Sequence, residues 1–226
     1  MQIKRLLIIP ARSGSKRIKN KNLKLFNNHP LIYWTIKAAK ECSINDIFIS
    51  TDSEEIKKFS LLNGINVPFK RPKKLSADNS LMIDVAKHFC KWLENYGQFK
   101  NLILLQPTSP LRTWKDINDA VKIFKKKKAD TVVSAYDSKE LKELTKLMQI
   151  DKTGDIQNFT DINPKNFLVR NGPSILISKI QTIKSGSFYG RKIVPFLMKK
   201  EFSIDIDNID EFEISEMVHK KFKMDD

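Results

Sequence analysis

Short apolar runs alternate along the chain with longer segments in which apolar residues recur every three or four positions. Leu6–Ile9, Asp46–Ser50 and Asn101–Gln106 have the length and the apolar side chains of buried strands. Thr131–Ala135 follows the same pattern, and amphipathic segments separate these runs. Strands that alternate with helices are typical of a doubly wound α/β fold with a mainly parallel sheet. Ligands bind such a sheet beyond the carboxyl ends of its strands, so we expect functional residues in the loops at that edge.

The segments between these strands carry recognisable helix boundaries. Pro30 suits the first turn of a helix, and Thr113 is a suitable N-cap for a later one. Asp52 or Ser53 can cap the helix after the second strand, and Gly64 can end it. The pattern therefore predicts helices at Pro30–Cys42, Ser53–Asn63, Asn79–Tyr96, Thr113–Lys127 and Asp210–Phe222.

The pattern changes after Tyr136. Two short segments, Lys146–Asp151 and Asp155–Phe159, flank the sequence Lys-Thr-Gly and predict a β-hairpin. Because these segments have few apolar residues to bury, we expect the hairpin to leave the main body of the domain. Further strands are predicted at Val67–Phe69, Gly172–Ser178, Lys192–Phe196 and Ser203–Ile206.

The length and composition fit a single packed domain over residues 1–226. Hydrophobic residues make up 41% of the chain and charged residues 30%, which is enough apolar material for one core. Cys42 and Cys90 lie far apart and match no metal-binding spacing, which excludes a disulfide framework and a cysteine zinc site. No apolar stretch approaches the roughly 20 residues of a membrane span, and none resembles a signal peptide. We therefore expect a cytoplasmic protein without membrane attachment.

The formal net charge of +15 raises the question of a nucleic-acid-binding protein. Lysines supply 34 of the 41 basic residues and are spread over the whole chain, which indicates a compositional bias rather than a binding patch. The dense run Lys125–Lys128 lies at the end of a predicted helix, where cations stabilise the negative end of the helix dipole. Nucleic-acid binding is therefore the weaker interpretation of the charge.

The loop directly after the first strand, Pro10–Asn22, is rich in basic and small residues. It contains five lysine or arginine residues, one glycine and two serines. Backbone N–H groups in such a loop can cradle phosphates, and its cations can offset the charge of a triphosphate. Neither the Walker A spacing nor the dinucleotide fingerprint GxGxxG is present. An ordinary solvated loop is the alternative, but the position after the first strand favours a phosphate site.

A second candidate segment, Gln106–Arg112, follows the most apolar strand of the chain. Its two prolines restrict the backbone, which could present Gln106, Thr108 and Ser109 to a ligand. The alternative is a stiff turn that leads into the next helix. The two interpretations are evenly balanced on this segment alone.

Two aspartates in the predicted strand Ser203–Ile206 and just after it form a third candidate. Strand periodicity would place Asp205 and Asp207 on the same side, where their like charges repel unless a cation lies nearby. Mg²⁺ commonly takes one or two carboxylates together with the phosphates of a substrate. A solvated carboxylate pair is the commoner case for such a short motif, but a basic phosphate loop in the same sheet favours a metal site.

Together these segments resemble the acylneuraminate cytidylyltransferase family, whose members are also called CMP-sialic acid synthetases. Each matching stretch alone is modest evidence, whereas all six in the family's order and over almost the whole chain are specific. The stretches are Ile8–Asn22 (IIPARSGSKRIKNKN), Ile49–Ile56 (ISTDSEEI), Phe69–Asp78 (FKRPKKLSAD), Leu104–Arg112 (LLQPTSPLR), Arg170–Gly172 (RNG) and Ser203–Phe212 (SIDIDNIDEF).

The resemblance implies a Rossmann-like nucleotidyltransferase domain with a protruding β-hairpin for dimerisation. It implies transfer of CMP from CTP to the anomeric hydroxyl of a nine-carbon 2-keto-3-deoxy sugar acid, with release of pyrophosphate. Mg²⁺ is the implied cofactor, with Mn²⁺ as an alternative. The segment 137–165 would correspond to the dimerisation hairpin, so a homodimer is implied in which the partner chain completes part of each sugar site.

The resemblance also implies roles for individual residues, with Arg12, Lys21 and Asp207 as the catalytic set. The general base is left open between an aspartate and a water on the metal. Asp205 and Asp207 would hold the metal ion. The implied nucleotide-binding residues are Ala11, Arg12, Ser13, Gly14, Ser15, Lys21, Asn22, Arg71, Ala77 and Ser80. The implied sugar-binding residues are Gln106, Thr108, Ser109, Arg170 and Asn171.

The chain departs from the family in one stretch. Sialic acid members carry an RQ-x-x-P sequence ahead of the NG motif, whereas this chain has DINPKNFLVRNGP in that region. Arg170 could replace the missing arginine, because arginine pairs with carboxylates through two hydrogen bonds. The departure leaves neuraminic, legionaminic, pseudaminic and other 2-keto-3-deoxy sugars open as acceptors.

Three other functions compete with this interpretation. Within enzymes, the closest alternative is a CMP-Kdo synthetase, which acts on an eight-carbon sugar, or a sugar-1-phosphate nucleotidyltransferase. A basic nucleic-acid-binding protein would show steeply salt-dependent binding and no preference for cytidine. An inactive paralogue that serves as a partner subunit is disfavoured because Arg12, Lys21, Gln106, Asp205 and Asp207 are all present.

Overall fold

A mixed β-sheet forms the centre of the computed structural model, which describes residues 5–137, 148–150, 156–158, 167–172 and 174–224. The strands are β1 Arg5–Pro10, β2 Leu25–Phe26, β3 His29–Pro30, β4 Asp46–Ser50, β5 Asn101–Leu104, β6 Thr131–Asp137, β7 Met148–Ile150, β8 Ile156–Asn158, β9 Leu168–Arg170, β10 Leu176–Lys179 and β11 Ile193–Leu197. The helices are α1 Leu31–Glu41, α2 Glu54–Leu62, α3 Met82–Leu93, α4 Trp114–Lys126, α5 Ile180–Lys184 and α6 Ile209–Lys221.

Most neighbouring strands of the central sheet are parallel. Its order is β11–β6–β10–β5–β1–β4, and β9 pairs with the end of β6. Strand β1 is parallel to β4 and β5, and β11 is parallel to β6, whereas β10 is antiparallel to β5 and β6. The predicted mainly parallel α/β sheet is thereby confirmed. The reversal of β10 is new, because an apolar run carries no information about strand direction.

Successive side chains of β1 point to opposite faces of the sheet and enter separate apolar cores. Leu7 and Ile9 pack in a cluster with residues of α1, α2 and α4 on one face. Leu6 and Ile8 pack with residues of α3 and α5 on the other face. Helices therefore cover both faces, which explains why the parallel strands read as continuous apolar runs.

A third apolar cluster lies outside the two faces and holds together segments that are far apart in sequence. Ile18 comes from the basic loop and Ile206 from between the two aspartates, and both are buried. Leu111, from the loop after β5, and Phe212, from α6, pack in the same cluster. The charged residues beside Ile18 and Ile206 are consequently anchored by apolar side chains rather than by charge alone.

The predicted helix caps are confirmed where the structure tests them. The Ser53 hydroxyl accepts a hydrogen bond from the N–H of Ile56 at the start of α2, and Gly64 follows that helix with a φ of 76°. Thr113 and Asp116 form a reciprocal capping box at the start of α4. Helix α3 is shorter than predicted, because Ala77 and Ser80 lie in a turn before it.

Two predicted strands are wrong. The segment Ser203–Ile206 follows a short 3₁₀ helix and belongs to no strand, because its backbone groups bond to a loop and to a lysine side chain rather than to a neighbouring strand. Val67–Phe69 also belongs to no strand, and only its flanking residues form isolated bridges, Asn66 to Phe48 and Lys70 to Thr51. An alternation of apolar and polar residues can therefore accompany extended backbone that does not pair as a strand.

The predicted hairpin after residue 136 is confirmed at its paired backbone. β7 and β8 are antiparallel, with Met148 opposite Asn158 and Ile150 opposite Ile156. Apart from Asp137, which ends β6, the rest of the predicted dimerisation segment 137–165 lies outside the described residues. In the part of the chain that the structure describes, no helix has the length and apolar composition required to cross a membrane.

Arg112 is a buried cation that ties three elements together. Its side chain donates to the carbonyl oxygens of Gln106 at 3.2 Å and Ser174 at 2.7 Å, and to the hydroxyl of Thr35 in α1 at 2.6 Å. Burial lowers the pKa of Arg112 to about 9, which still leaves it protonated at neutral pH. The guanidinium therefore fixes the loop after β5 against α1 and the start of β10.

We predict that Arg112→Met will destabilise the protein by about 3 kcal/mol, because three buried acceptors lose a charged donor. Urea unfolding measures the change as a lower midpoint at constant slope. Arg191→Met is the matched control, since Arg191 is exposed, and it should change stability by less than about 0.5 kcal/mol. Equal stabilities of the two variants would contradict the role of Arg112.

Candidate active site

A cavity of about 360 Å³ opens at the edge where the parallel strands end. Its walls come from the loop after β1, the loop after β5, the segment before α3 and the segment before α6. This is the edge at which doubly wound sheets bind ligands. The predicted site residues that line it are Arg12, Ser15, Lys21, Asn22, Arg71, Gln106, Thr108 and Asp207.

The loop after β1 is held in shape by polar contacts to neighbouring loops. The backbone N–H and the hydroxyl of Ser13 donate to the Asp52 carboxylate at 3.0 and 2.7 Å. The Asn22 amide donates to the carbonyl oxygen of Arg12 at 2.9 Å. These bonds close the loop on itself and against the end of β4. The cations of the loop therefore project from a fixed backbone.

Asp78 lies opposite this loop and pairs with two of its cations. Its carboxylate oxygens lie 2.6 Å from Nη1 of Arg12 and 2.6 Å from Nζ of Lys16. The two basic groups hold the pKa of Asp78 below its usual value. The Asp78 carboxylate thus bridges two cations at the wall of the cavity. The same two cations could also bind a larger anion.

Arg71 is a buried arginine beside the end of β4. Its Nε donates to the Ser50 hydroxyl at 3.1 Å, and its Nη2 donates to the Ser50 carbonyl oxygen. Burial lowers the pKa of Arg71 to about 10, while the nearby Asp52 carboxylate raises it. The guanidinium is therefore charged at neutral pH and fixed in place where it lines the cavity.

Lys21 connects the basic loop with the segment that carries the two aspartates. Its Nζ donates to the carbonyl oxygen of Ile206 at 2.5 Å and lies 3.7 Å from Oδ1 of Asp207. Burial lowers the pKa of Lys21, although the charges of Asp207 and Asp205 raise it. Arg17 approaches the other side of Asp207, with Nη1 3.1 Å from Oδ2. The basic loop and the aspartates therefore meet at one site.

Asp205 is the less accessible of the two aspartates. Burial raises the pKa of Asp205, and a hydrogen bond to Thr108 and the charge of Lys21 lower it. Its Oδ1 is buried and has no hydrogen-bond partner among the described residues. A buried carboxylate oxygen without a partner is costly unless a cation or a donor completes it.

The aspartates fit a magnesium site that also uses oxygens of a bound nucleotide. Within the described ranges, no group of three or more histidine, cysteine, aspartate or glutamate side chains gathers as a complete metal site. Mg²⁺ is nonetheless held in many proteins by one or two carboxylates plus substrate phosphates. Asp205, whose Oδ1 has no partner among the described residues, and Asp207 are such a pair, and Arg17 and Lys21 lie next to Asp207.

Several predicted site residues lie around the cavity rather than in its wall. Ala11 is buried and donates its N–H to the Ser50 carbonyl oxygen at 3.0 Å. Arg170 donates to the Tyr189 hydroxyl at 2.5 Å, and Asn171 is buried with its amide bound to other side chains. The predicted residues outside the wall are Ala11, Ser13, Gly14, Ala77, Ser80, Ser109, Arg170, Asn171 and Asp205. Their proposed ligand contacts stay predictions.

Sequence reasoning missed residues that line the cavity. Lys16 and Arg17 belong to the predicted loop, but nothing in the pattern distinguished them from other surface cations. Asp78 and Met82 also line it, and Asp52 fixes the loop from outside. The position of Asp52 directly after a predicted strand was the available signal for its role.

Comparisons with known proteins agree with this geometry. Residues 6–221 match the family model described as cytidylyltransferase. The chain is 33% identical over 218 residues to an N-acylneuraminate cytidylyltransferase of Streptococcus agalactiae, an alignment that covers 93% of this chain and 52% of the relative. It is 35% identical over 211 residues to the CMP-N,N'-diacetyllegionaminic acid synthase of Legionella pneumophila. That alignment covers 89% of this chain and 90% of the relative.

A solved structure shares the fold. The structure of CMP-2-keto-3-deoxy-manno-octonic acid synthetase complexed with CTP superposes with a TM-score of 0.68 at 13% identity. The superposition covers 97% of this chain and 99% of that one. The chain spans about half the length of the first curated relatives that it matches. Since the family model covers nearly the whole sequence, the chain belongs to the cytidylyltransferase family.

Proposed function

We propose that this protein transfers CMP from CTP to the anomeric hydroxyl of a nine-carbon 2-keto-3-deoxy sugar acid and releases pyrophosphate. The observation that carries the proposal is the shared cavity, in which Arg12 and Lys21 meet Gln106 and Asp207. The names of the relatives from Streptococcus and Legionella support an acceptor of the sialic or legionaminic type, and pseudaminic acid belongs to the same chemical class. We further propose that the enzyme is cytoplasmic and uses Mg²⁺.

The charges in the cavity suit two reactants that repel each other. CTP and a sugar carboxylate are both anions, so bringing them together in a site of reduced dielectric requires neutralisation. Arg12, Lys16 and Lys21 line the cavity from the basic loop and would hold the triphosphate. The half-buried Lys21 is held by the Ile206 carbonyl oxygen before any ligand binds, and Arg12 and Lys16 pair with Asp78 at the cavity wall. A lysine that is already in place spares reorganisation during the reaction.

The acceptor would lie beside the loop after β5. Gln106 and Thr108 line the cavity there, and the Thr108 hydroxyl is 3.4 Å from Oε1 of Gln106. Two prolines and the buried Arg112 keep this loop rigid. A rigid loop can align the sugar hydroxyl with the α-phosphorus, and such alignment contributes a large part of the rate in bimolecular reactions.

The reaction exchanges one phosphorus–oxygen bond for another. The anomeric oxygen bonds to the α-phosphorus, the bond from that phosphorus to the bridging oxygen of pyrophosphate breaks, and the hydroxyl proton is released. Asp205 and Asp207 would hold Mg²⁺, which when bound stabilises the charge that develops on the phosphates. Lys21 and Arg12 would stabilise the departing pyrophosphate through their own charges.

We also propose a homodimer in which the segment 137–165 contributes to the partner's sugar site. The support is the family resemblance and the paired backbone of β7 and β8, which forms a separate two-stranded sheet. A small sheet outside the central one is suited to projecting from the domain. Sedimentation of the full chain measures whether it forms the proposed homodimer.

A substrate panel tests the proposed function. The full chain is incubated with CTP, Mg²⁺ and one acceptor at a time: N-acetylneuraminic acid, N,N'-diacetyllegionaminic acid, pseudaminic acid or the eight-carbon sugar Kdo. We expect pyrophosphate release with a nine-carbon acid at a kcat/KM at least ~10-fold above that with Kdo, since the sugar contacts differ. Faster turnover of Kdo, or no release with any acceptor, would overturn the proposal.

We predict that Asp207→Asn will lower kcat about 100-fold at saturating Mg²⁺, which corresponds to ~2.7 kcal/mol of transition-state stabilisation. The variant keeps the shape of the side chain and removes the charge that binds the metal and faces Lys21. Asp210→Asn is the matched control, because Asp210 is exposed in the first turn of α6 and outside the cavity. Normal turnover by Asp207→Asn would remove Asp207 from the mechanism.

We predict that Asp205→Asn will stabilise the metal-free protein at neutral pH. The folded-state pKa of Asp205 is raised above its ordinary value of 3.8 by burial, so the wild type loses stability as the pH rises through that folded-state pKa. In EDTA the melting temperature of the variant should exceed that of the wild type at pH 7.5, and the gap should shrink as the pH falls toward 3.8. A variant that melts below the wild type at pH 7.5 would contradict this prediction.

A further inference from the structure

Gly172 lies directly against the carboxylate of Asp205. Its φ is 61°, in the left-handed region that disfavours side chains. A Cβ atom built on Gly172 would lie 2.7 Å from Cγ of Asp205 and closer still to Oδ2. The Asp205 carboxylate therefore occupies the space that any other residue at position 172 would need.

Two other glycines show that this contact is separate from the backbone conformation. Gly64 and Gly186 also have positive φ values, of 76° and 98°. Among the described residues, no heavy atom that a substitution must meet lies within 4 Å of a Cβ built on either of them. Backbone conformation alone explains the glycines at positions 64 and 186. At position 172 the Asp205 carboxylate also leaves no room for a side chain.

The turn that contains Gly172 is fixed to the segment that contains Asp205. The Asn171 side chain is 3% exposed, accepts a hydrogen bond from the Ser134 hydroxyl at 2.6 Å and donates to the Ser203 hydroxyl at 3.0 Å. The Ser203 hydroxyl in turn donates to the Lys199 carbonyl oxygen at 2.8 Å. Asn171 thus joins β6 to a residue two positions before Asp205.

The backbone next to Asp205 is held by the loop after β5. The N–H of Ile206, the next residue, donates to the Thr108 carbonyl oxygen at 2.8 Å. The Oδ1 atom of Asp205 is buried and has no hydrogen-bond partner among the described residues. Gly172 therefore bounds the space of the carboxylate on one side, and the adjoining backbone is tied to Thr108.

We propose that Gly172 is a positioning residue that sets the Asp205 carboxylate for binding the divalent metal ion. This inference rests on the proposed function, since it assigns the metal to Asp205 and Asp207. An added Cβ would displace the carboxylate by roughly 0.7 Å or more to reach an ordinary contact distance. Functional groups generally need to be held within about 0.5 Å of their working position, so such a displacement weakens the metal site.

Metal binding tests the proposal without sugar transfer. Mn²⁺ is titrated into the full chain with an unreactive CTP analogue and followed by electron paramagnetic resonance. For Gly172→Ala we expect the half-saturating Mn²⁺ concentration to rise at least ~10-fold relative to the wild type. Gly64→Ala is the matched control, because it carries the same backbone strain without the contact, and it should stay within twofold of the wild type. Wild-type Mn²⁺ affinity in a folded Gly172→Ala variant overturns the proposal, as does absence of Mn²⁺ binding by the wild type.

A double-mutant cycle tests the contact itself and covers a variant that does not fold. Gly172→Ala should lower the melting temperature less in an Asp205→Ala background than in the wild type, because the clashing carboxylate is gone. The remaining decrease should equal that of Gly64→Ala within about 2 °C. If Gly172→Ala does not fold alone, the double variant should fold. Equal decreases in both backgrounds, or a double variant that also fails to fold, contradict the contact.

The two proposals can fail separately. No pyrophosphate release with any acceptor, together with the expected Mn²⁺ and melting results, would remove the proposed function and leave the positioning role of Gly172. Pyrophosphate release together with wild-type Mn²⁺ affinity of Gly172→Ala would remove the positioning role of Gly172 and leave the proposed function.

Discussion

The candidate site depends on the way the peptide around Ile206 is held. Its side chain is fully buried, its N–H bonds to the loop after β5 at Thr108, and its carbonyl oxygen accepts the ammonium of Lys21. These three contacts come from three distant parts of the chain. Because Asp205 and Asp207 flank this one residue, fixing Ile206 fixes the two proposed metal ligands relative to both the basic loop after β1 and the loop after β5. A peptide group that is fully bonded and buried cannot drift as the ligands exchange.

The apolar anchors explain how so many like charges can share one small cavity. Cations that face one cavity repel one another, and screening is weaker at a partly buried site than in water. Ile18 holds the basic loop from the apolar side, and the carboxylates of Asp78 and Asp207 alternate with the cations on the polar side. The loop is therefore stable without a ligand. A triphosphate would replace interactions that already exist rather than organise a disordered loop, which reduces the cost of binding.

The sequence was most informative where periodicity decides the structure. Continuous apolar runs predicted the parallel strands, and the rule that such strands end at one edge predicted that Arg12, Lys21 and Gln106 would meet. Asp207 lies with them although the segment before it is not a strand. The Ser203–Ile206 segment was misassigned, because alternating burial looks the same whether a strand ladder or an isolated cluster causes it. The pairings of Asp78 with Arg12 and of Arg17 with Asp207 could not be read from the pattern, since they join residues far apart in the chain.

Gly172 and Asp205 show why a residue without a side chain can matter for charge. Burial makes the Asp205 carboxylate unfavourable in the protein without metal, and a mobile carboxylate would relieve this by turning toward water. Gly172 lies against the carboxylate on one side, and the backbone bond from Ile206 to Thr108 holds the adjoining segment, so that freedom is reduced. The destabilisation is then retained in the folded protein. Under the proposed function a bound cation would relieve it, and the metal site would gain affinity from a cost that the surrounding fold sustains.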